Sequence, residues 1–347
     1  MKLHTLLLAA ILIPSSFGLT LPLSRLENEK RLETCGTAKR GKVFRGENAS
    51  QLEAPWTVMV RNGGMLCTGT VVSPRHVLTA THCFAGRLNE DGWGAVQRNR
   101  AMCINGHFHM FDFMELDPVA IVSDEKIVAH SASNIILLNA CLAKKTSGRL
   151  GRAQVWEDIA IVTLLEDLPF SDTLQPACVA APGEVPVGLD LKYYGFGAYP
   201  TLNGYNTGVL RQESTQTLKS ELNIPEYFFE ARDPNGRTIA CPGDSGGGSV
   251  SIKDGKATIV GVLSQTNCHA KRGDGAAHKE IYSSVPYYAK LVCQFEGICP
   301  DSETFEKIHV RRHDELVPKK EKVEGASTVD TLPFLALALM SVTVIWL

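Results

Sequence analysis

The chain lacks a charge imbalance: 35 Lys and Arg stand against 37 Asp and Glu, a formal net charge of −2 over 347 residues. Binding to nucleic acid or another polyanion relies on clustered basic charge, and this composition gives no argument for such a partner. It also lacks a long apolar run. Both Leu6–Ile13 and Leu332–Leu347 fall short of the ~20 apolar residues of a membrane-spanning helix. Glycosylation sequons are scarce, Asn48-Ala49-Ser50 being the single one, in an expected surface loop. Metal-binding spacing is missing too. His107 and His109 would share a strand face near Cys103, but zinc takes three or four ligands. A disulfide-bounded pair of surface strands is expected there instead, with no metal and no cofactor.

What is present begins with 44% apolar residues, enough for a sizeable core, and ten cysteines. Lys2, the apolar stretch after it and the small exit Ser16-Phe17-Gly18 read as a signal peptide over residues 1–18. The expected location is secreted or extracellular, where an even cysteine count implies disulfides.

Chemistry concentrates in Cys241-Pro242-Gly243-Asp244-Ser245-Gly246-Gly247. Glycines allow the close backbone approach that lets the N–H groups of Gly243 and Ser245 share one small space, as an oxyanion hole requires. Upstream, the apolar run Val77-Leu78-Thr79-Ala80-Thr81 leads to His82 and Cys83, and Asp158 precedes the β-branched Ile159-Ala160-Ile161-Val162. The three residue types divide the chemistry among them. Ser245 attacks, His82 takes its proton, and Asp158 orients the imidazole and stabilises its charged form.

In that order the three stations resemble the chymotrypsin/trypsin family of serine peptidases, and the pattern of the remaining cysteines resembles its nematode branch. The resemblance runs from about Val43 to about Cys293. It implies an all-β fold, two packed antiparallel six-stranded Greek-key barrels with a C-terminal helix, over residues 43–300. It implies bridges Cys67–Cys83, Cys241–Cys268 and Cys35–Cys178. Cys103 with Cys141, and Cys293 with Cys299, are then paired by proximity in the sequence. It further implies a zymogen cut between Lys42 and Val43 by a trypsin-like protease, the new Val43 ammonium pairing with Asp244. Arg45-Gly46 departs from the two glycines usual after that cut.

The implied activity is endopeptidase cleavage of protein or peptide substrates through an acyl-enzyme. The same scaffold with silent chemistry, used for binding or adhesion, is the rival reading. Ser264-Gln265-Thr266 occupy the place of the substrate-binding strand, and Ile239 stands at the pocket base, where trypsins keep an aspartate. Glu280 falls beside the pocket. It either reads a basic substrate side chain, or turns outward or pairs with Lys279, leaving an uncharged preference. Thr266, in place of glycine, argues against a deep pocket.

The flanks read differently. Residues 19–42 are polar, without periodicity, and read as a propeptide. Residues 301–330 read as a charged linker too hydrophilic to pack. Residues 331–347 form a hydrophobic tail after the small residues Gly325-Ala326-Ser327, favouring lipid attachment at the cell surface over a membrane helix.

Overall fold

A computed structural model describes residues 22–38, 49–85, 87–88, 92–93, 101–111, 120–123, 128–142, 148–150, 153–201, 204–220, 224–268 and 279–316. Expectations for the signal peptide, Lys42, Val43, Asn48 and the 331–347 tail lie outside the described residues.

The principal strands, in chain order, are β1 (Thr57–Asn62), β2 (Met65–Ser73), β3 (His76–Thr79), β4 (Ala101–Ile104), β5 (His107–Phe111), β6 (Ala120–Ser123), β7 (Val128–Leu137) and β8 (Ala160–Leu164). Six of them, in the order β8-β3-β2-β1-β6-β7, close on themselves through β7–β8 pairing, and the hairpin β4–β5 extends the sheet from β7. Closure removes the exposed strand edges that an open sheet would have to protect. It is driven by the strands' own composition: β8 is buried at all five positions, and β2 from Cys67 to Ser73.

The second half repeats the solution with β9 (Cys178–Val179), β10 (Asp190–Gly195), β11 (Arg211–Leu218), β12 (Phe228–Arg232), β13 (Gly248–Lys253), β14 (Lys256–Gln265) and β15 (Glu280–Ser284). The order β14-β13-β10-β11-β12-β15 closes through β15–β14, and β9 adds to β14 in parallel. The expected pair of six-stranded antiparallel barrels is therefore present. Trp56, Ile161, Phe196 and Tyr288 belong to one apolar core that spans both barrels.

Helix α2 (Val285–Glu296) follows β15 as expected, with Ser284 as its N-cap and Gly297 ending it in the left-handed region at φ 66°. All five anticipated disulfides are formed: Cys35–Cys178, Cys67–Cys83, Cys103–Cys141, Cys241–Cys268 and Cys293–Cys299.

Both flanks are partly folded. Residues 19–42 are polar and without periodicity, yet Arg25–Thr34 form helix α1, started by a capping box between Ser24 and Glu27. Its inward face is polar, which is why hydrophobic periodicity misses it. Arg31 is buried, bonded to Asn28 Oδ1 and the Cys299 carbonyl, and burial lowers its pKa to about 10. Gly36 then enters the sheet region, donating to the Pro176 carbonyl at 2.7 Å and accepting from Ala257 N–H at 2.9 Å.

The linker is also partly folded. Ser302–Leu316 form helix α3, docked by buried Phe305 against the Cys293–Cys299 bridge and by His309 Nε2 at 2.9 Å from the Cys293 carbonyl. Phe305 and Ile308 give this segment, whose composition reads as solvated, an apolar contact with the disulfide. No helix among the described residues is long and apolar enough to cross a membrane.

Candidate active site

His82 lies on a short 3-10 turn, Thr81–Cys83, directly after β3. The Cys67–Cys83 bridge ties that turn back to β2. Asp158 sits in the extended approach to β8. The two segments clasp each other: Thr81 Oγ1 donates to the Ile159 carbonyl at 3.0 Å, and His82 N–H donates to Asp158 Oδ1 at 3.0 Å.

The other Asp158 oxygen faces the imidazole, with His82 Nδ1 2.8 Å from Oδ2. Ser264 Oγ donates to the same oxygen at 2.6 Å, and Ser283 Oγ to the Asp158 carbonyl at 2.6 Å. Asp158 is only 2% exposed. Burial works against its ionisation, but the charge and hydrogen bond of His82 and the Ser264 bond outweigh it, and its pKa is lowered. An ionised Asp158 fixes Nδ1 as the protonated nitrogen and leaves Nε2 as the basic one.

Main-chain bonds hold the Ser245 loop from two sides, Thr68 and Leu263. The Ser245 carbonyl accepts from Thr68 N–H at 2.9 Å, Gly246 N–H donates to the Leu263 carbonyl at 2.8 Å, and Leu263 N–H returns to the Gly247 carbonyl at 2.9 Å. Gly246 has φ +82°, and a Cβ there would sit 2.0 Å from Thr79 Oγ1, so no other residue fits. This contact presses the serine loop onto the strand that leads to His82. The sulfur of Cys83, neighbour of His82, is 3.9 Å from the Ser245 carbonyl oxygen. Among the described residues, the N–H groups of Gly243 and Ser245 are engaged by no main-chain hydrogen bond of the loop.

Asp244 turns away from that space. Its Oδ1 accepts from Gly197 N–H at 2.8 Å and its Oδ2 from Cys241 N–H at 2.8 Å. A Cβ at Gly197 would lie 2.3 Å from the carboxylate, which explains the Gly195-Phe196-Gly197 turn. Burial raises the Asp244 pKa to about 6, against the lowering effect of those two N–H groups.

Of the expected pocket residues, Ser264, Gln265 and Thr266 lie at the end of β14 next to the serine loop, with Ile239 half-buried across from them. Glu280 does not turn outward, one of the alternatives expected for it. It is 1% exposed, Oε1 accepts from Ala240 N–H at 2.7 Å, and Oε2 accepts from Tyr282 O–H at 2.6 Å. Lys279 lies 3.9 Å from Glu230 instead.

Sequence reasoning missed Thr68 and Glu213. The Thr68 hydroxyl donates to the Gly243 carbonyl at 2.9 Å and accepts from Phe196 N–H at 3.1 Å, linking the serine loop to the turn that holds Asp244. Glu213 is a buried carboxyl hydrogen-bonded to Glu280. Neither stands in a motif. The only available sign was a charged residue on the inward face of β11, with Thr215 and Thr217. His107 and His109 both face the Phe295 ring, at 4.7 and 6.0 Å between centroids, and Cys103 is in its disulfide. His82 comes close to Cys67 and Cys83, but those sulfurs are bonded to each other and offer no thiolate.

The described residues thus hold two closed six-stranded barrels, a bonded histidine–aspartate pair and a serine loop locked in place by glycines. A family profile described as the nematode trypsin-6-like family matches residues 4–299. The chain belongs to this family. As a nematode trypsin-6-like protein it has a serine-peptidase fold, and its match covers both barrels and α2.

Proposed function

We propose that the chain is the precursor of a secreted or surface-tethered serine endopeptidase. The observation that carries this reading is the buried His82–Asp158 pair at 2.8 Å, braced by Ser264, within the clasp that also holds the Ser245 loop. Ser245 Oγ attacks the scissile carbonyl carbon as His82 Nε2 takes its proton. Ionised Asp158 stabilises the imidazolium, and the Gly243 and Ser245 N–H groups receive the oxyanion. The imidazolium then protonates the leaving amine, and water repeats the sequence on the acyl-enzyme.

Activation by a trypsin-like protease between Lys42 and Val43 gives Asp244 its partner, since a buried carboxylate gains most from a buried ammonium. The tail after residue 331 supplies the tether, favoured as a lipid attachment signal. Treating the chain with trypsin and labelling with an alkyl fluorophosphonate tests the reading. Cut protein should label rapidly and uncut protein far more slowly. Ser245→Ala should abolish labelling. Absence of labelling in cut wild-type protein sinks the peptidase reading and leaves a silent binding scaffold.

A further inference from the structure

Main-chain bonds between Leu263 and residues 246–247 set the end of β14 alongside the nucleophile. On the peptidase reading, a peptide that pairs with that edge as an added strand brings the side chain at its scissile carbonyl (P1) to the gap between residues 264–266 and 239–241. Across this gap Thr266 Oγ1 donates to the Ala240 carbonyl at 2.9 Å, and the Cys241–Cys268 bridge joins the same two segments.

Ala240 cannot swing aside cheaply. Its carbonyl is held by Thr266 and its N–H by the buried Glu280 carboxyl at 2.7 Å, so moving it breaks two hydrogen bonds, one of them buried. Behind Ala240, Glu280 makes no unmet electrostatic demand. Ala240 N–H and Tyr282 O–H serve its two oxygens, and Glu213 bonds to it as well. Burial raises the pKa of Glu280 against the lowering bonds from Tyr282 and Ala240, and burial followed by the neighbouring Glu280 pushes that of Glu213 well above the ordinary carboxylate range. Asp233 is nearby but is occupied by the N–H groups of Asn235, Arg237 and Thr238.

We infer that the Thr266–Ala240 join closes the P1 slot to long side chains, that the substrates are peptides with a short uncharged P1 residue, and that Glu280 is a sealed structural carboxyl instead of a substrate reader. This rests on the peptidase reading above. A P1-varied peptide library on trypsin-cut protein tests it, after fluorophosphonate labelling has counted the competent serines. Peptides with Ala, Ser, Thr or Val at P1 should be cleaved at least about 10-fold faster than those with Lys, Arg or Phe. Thr266→Gly should raise cleavage after Lys, Arg and Phe by about 10-fold or more.

Labelled wild-type protein that prefers Lys or Arg overturns the inference and leaves the peptidase reading standing. So does a labelled Thr266→Gly variant with an unchanged P1 profile. Protein that does not label at all defeats both together.

Discussion

Asp158 and Asp244 are aspartates next to the same site with opposite pKa shifts, and the difference is in their donors. Asp158 faces an imidazole and a hydroxyl, and its pKa falls despite burial; Asp244 accepts from two main-chain N–H groups with no cationic side chain among the described residues bonded to it, and burial, aided by nearby Glu280, raises its pKa to about 6. An acid with a raised folded-state pKa favours the folded state while protonated, and that advantage is lost as pH rises through the folded value. Uncut protein should therefore lose stability between about pH 4 and pH 6. Asp244→Asn should flatten the slope by up to one proton, about 1.4 kcal/mol per pH unit. Urea titrations across that range check it, and an identical slope in the variant would remove Asp244 as the source. His82, Asp158 and Ser245 were legible because each sits in a flanking pattern that chemistry constrains. Thr68 and Glu213 were not, because one hydroxyl or carboxyl among many on β strands acquires its role only from what the fold places opposite it.

Helices are where sequence and structure part most. The barrel strands announce themselves by β-branched runs between turns, and α2 by its apolar spacing. Helix α1 carries buried Asn28 and Arg31 where a core-facing stripe would be apolar, so its only legible mark was Ser24 three residues before Glu27. That mark is also its test. Ser24→Ala should destabilise the protein by about 1 kcal/mol. Replacing Cys35 and Cys178 together by serine should cost roughly 2–5 kcal/mol, since that bridge closes a 143-residue separation. Thermal unfolding of the two variants should rank them in that order. A negligible effect of the cysteine pair would mean that the α1 contacts alone hold the segment.

At the scale of the whole molecule, the pairing of two barrels was legible, while the cladding at their ends was not. The structure makes residues 22–38 part of the folded unit through Cys35–Cys178 and the Gly36 hydrogen bonds. Protein cut between Lys42 and Val43 should run as one band on a non-reducing gel and as two after reduction. Release of the N-terminal piece without reductant would contradict the bridge. The same cladding brings distant parts of the chain together: Leu23 N–H donates to the Glu296 carbonyl at 2.9 Å, and Arg25 pairs with Glu306 at 2.7 Å. Mechanical load applied to the segments on either side of the domain would pass through this short seam of α1, α2 and α3. A pull would peel the helices first and reach the loop that carries Ser245 last.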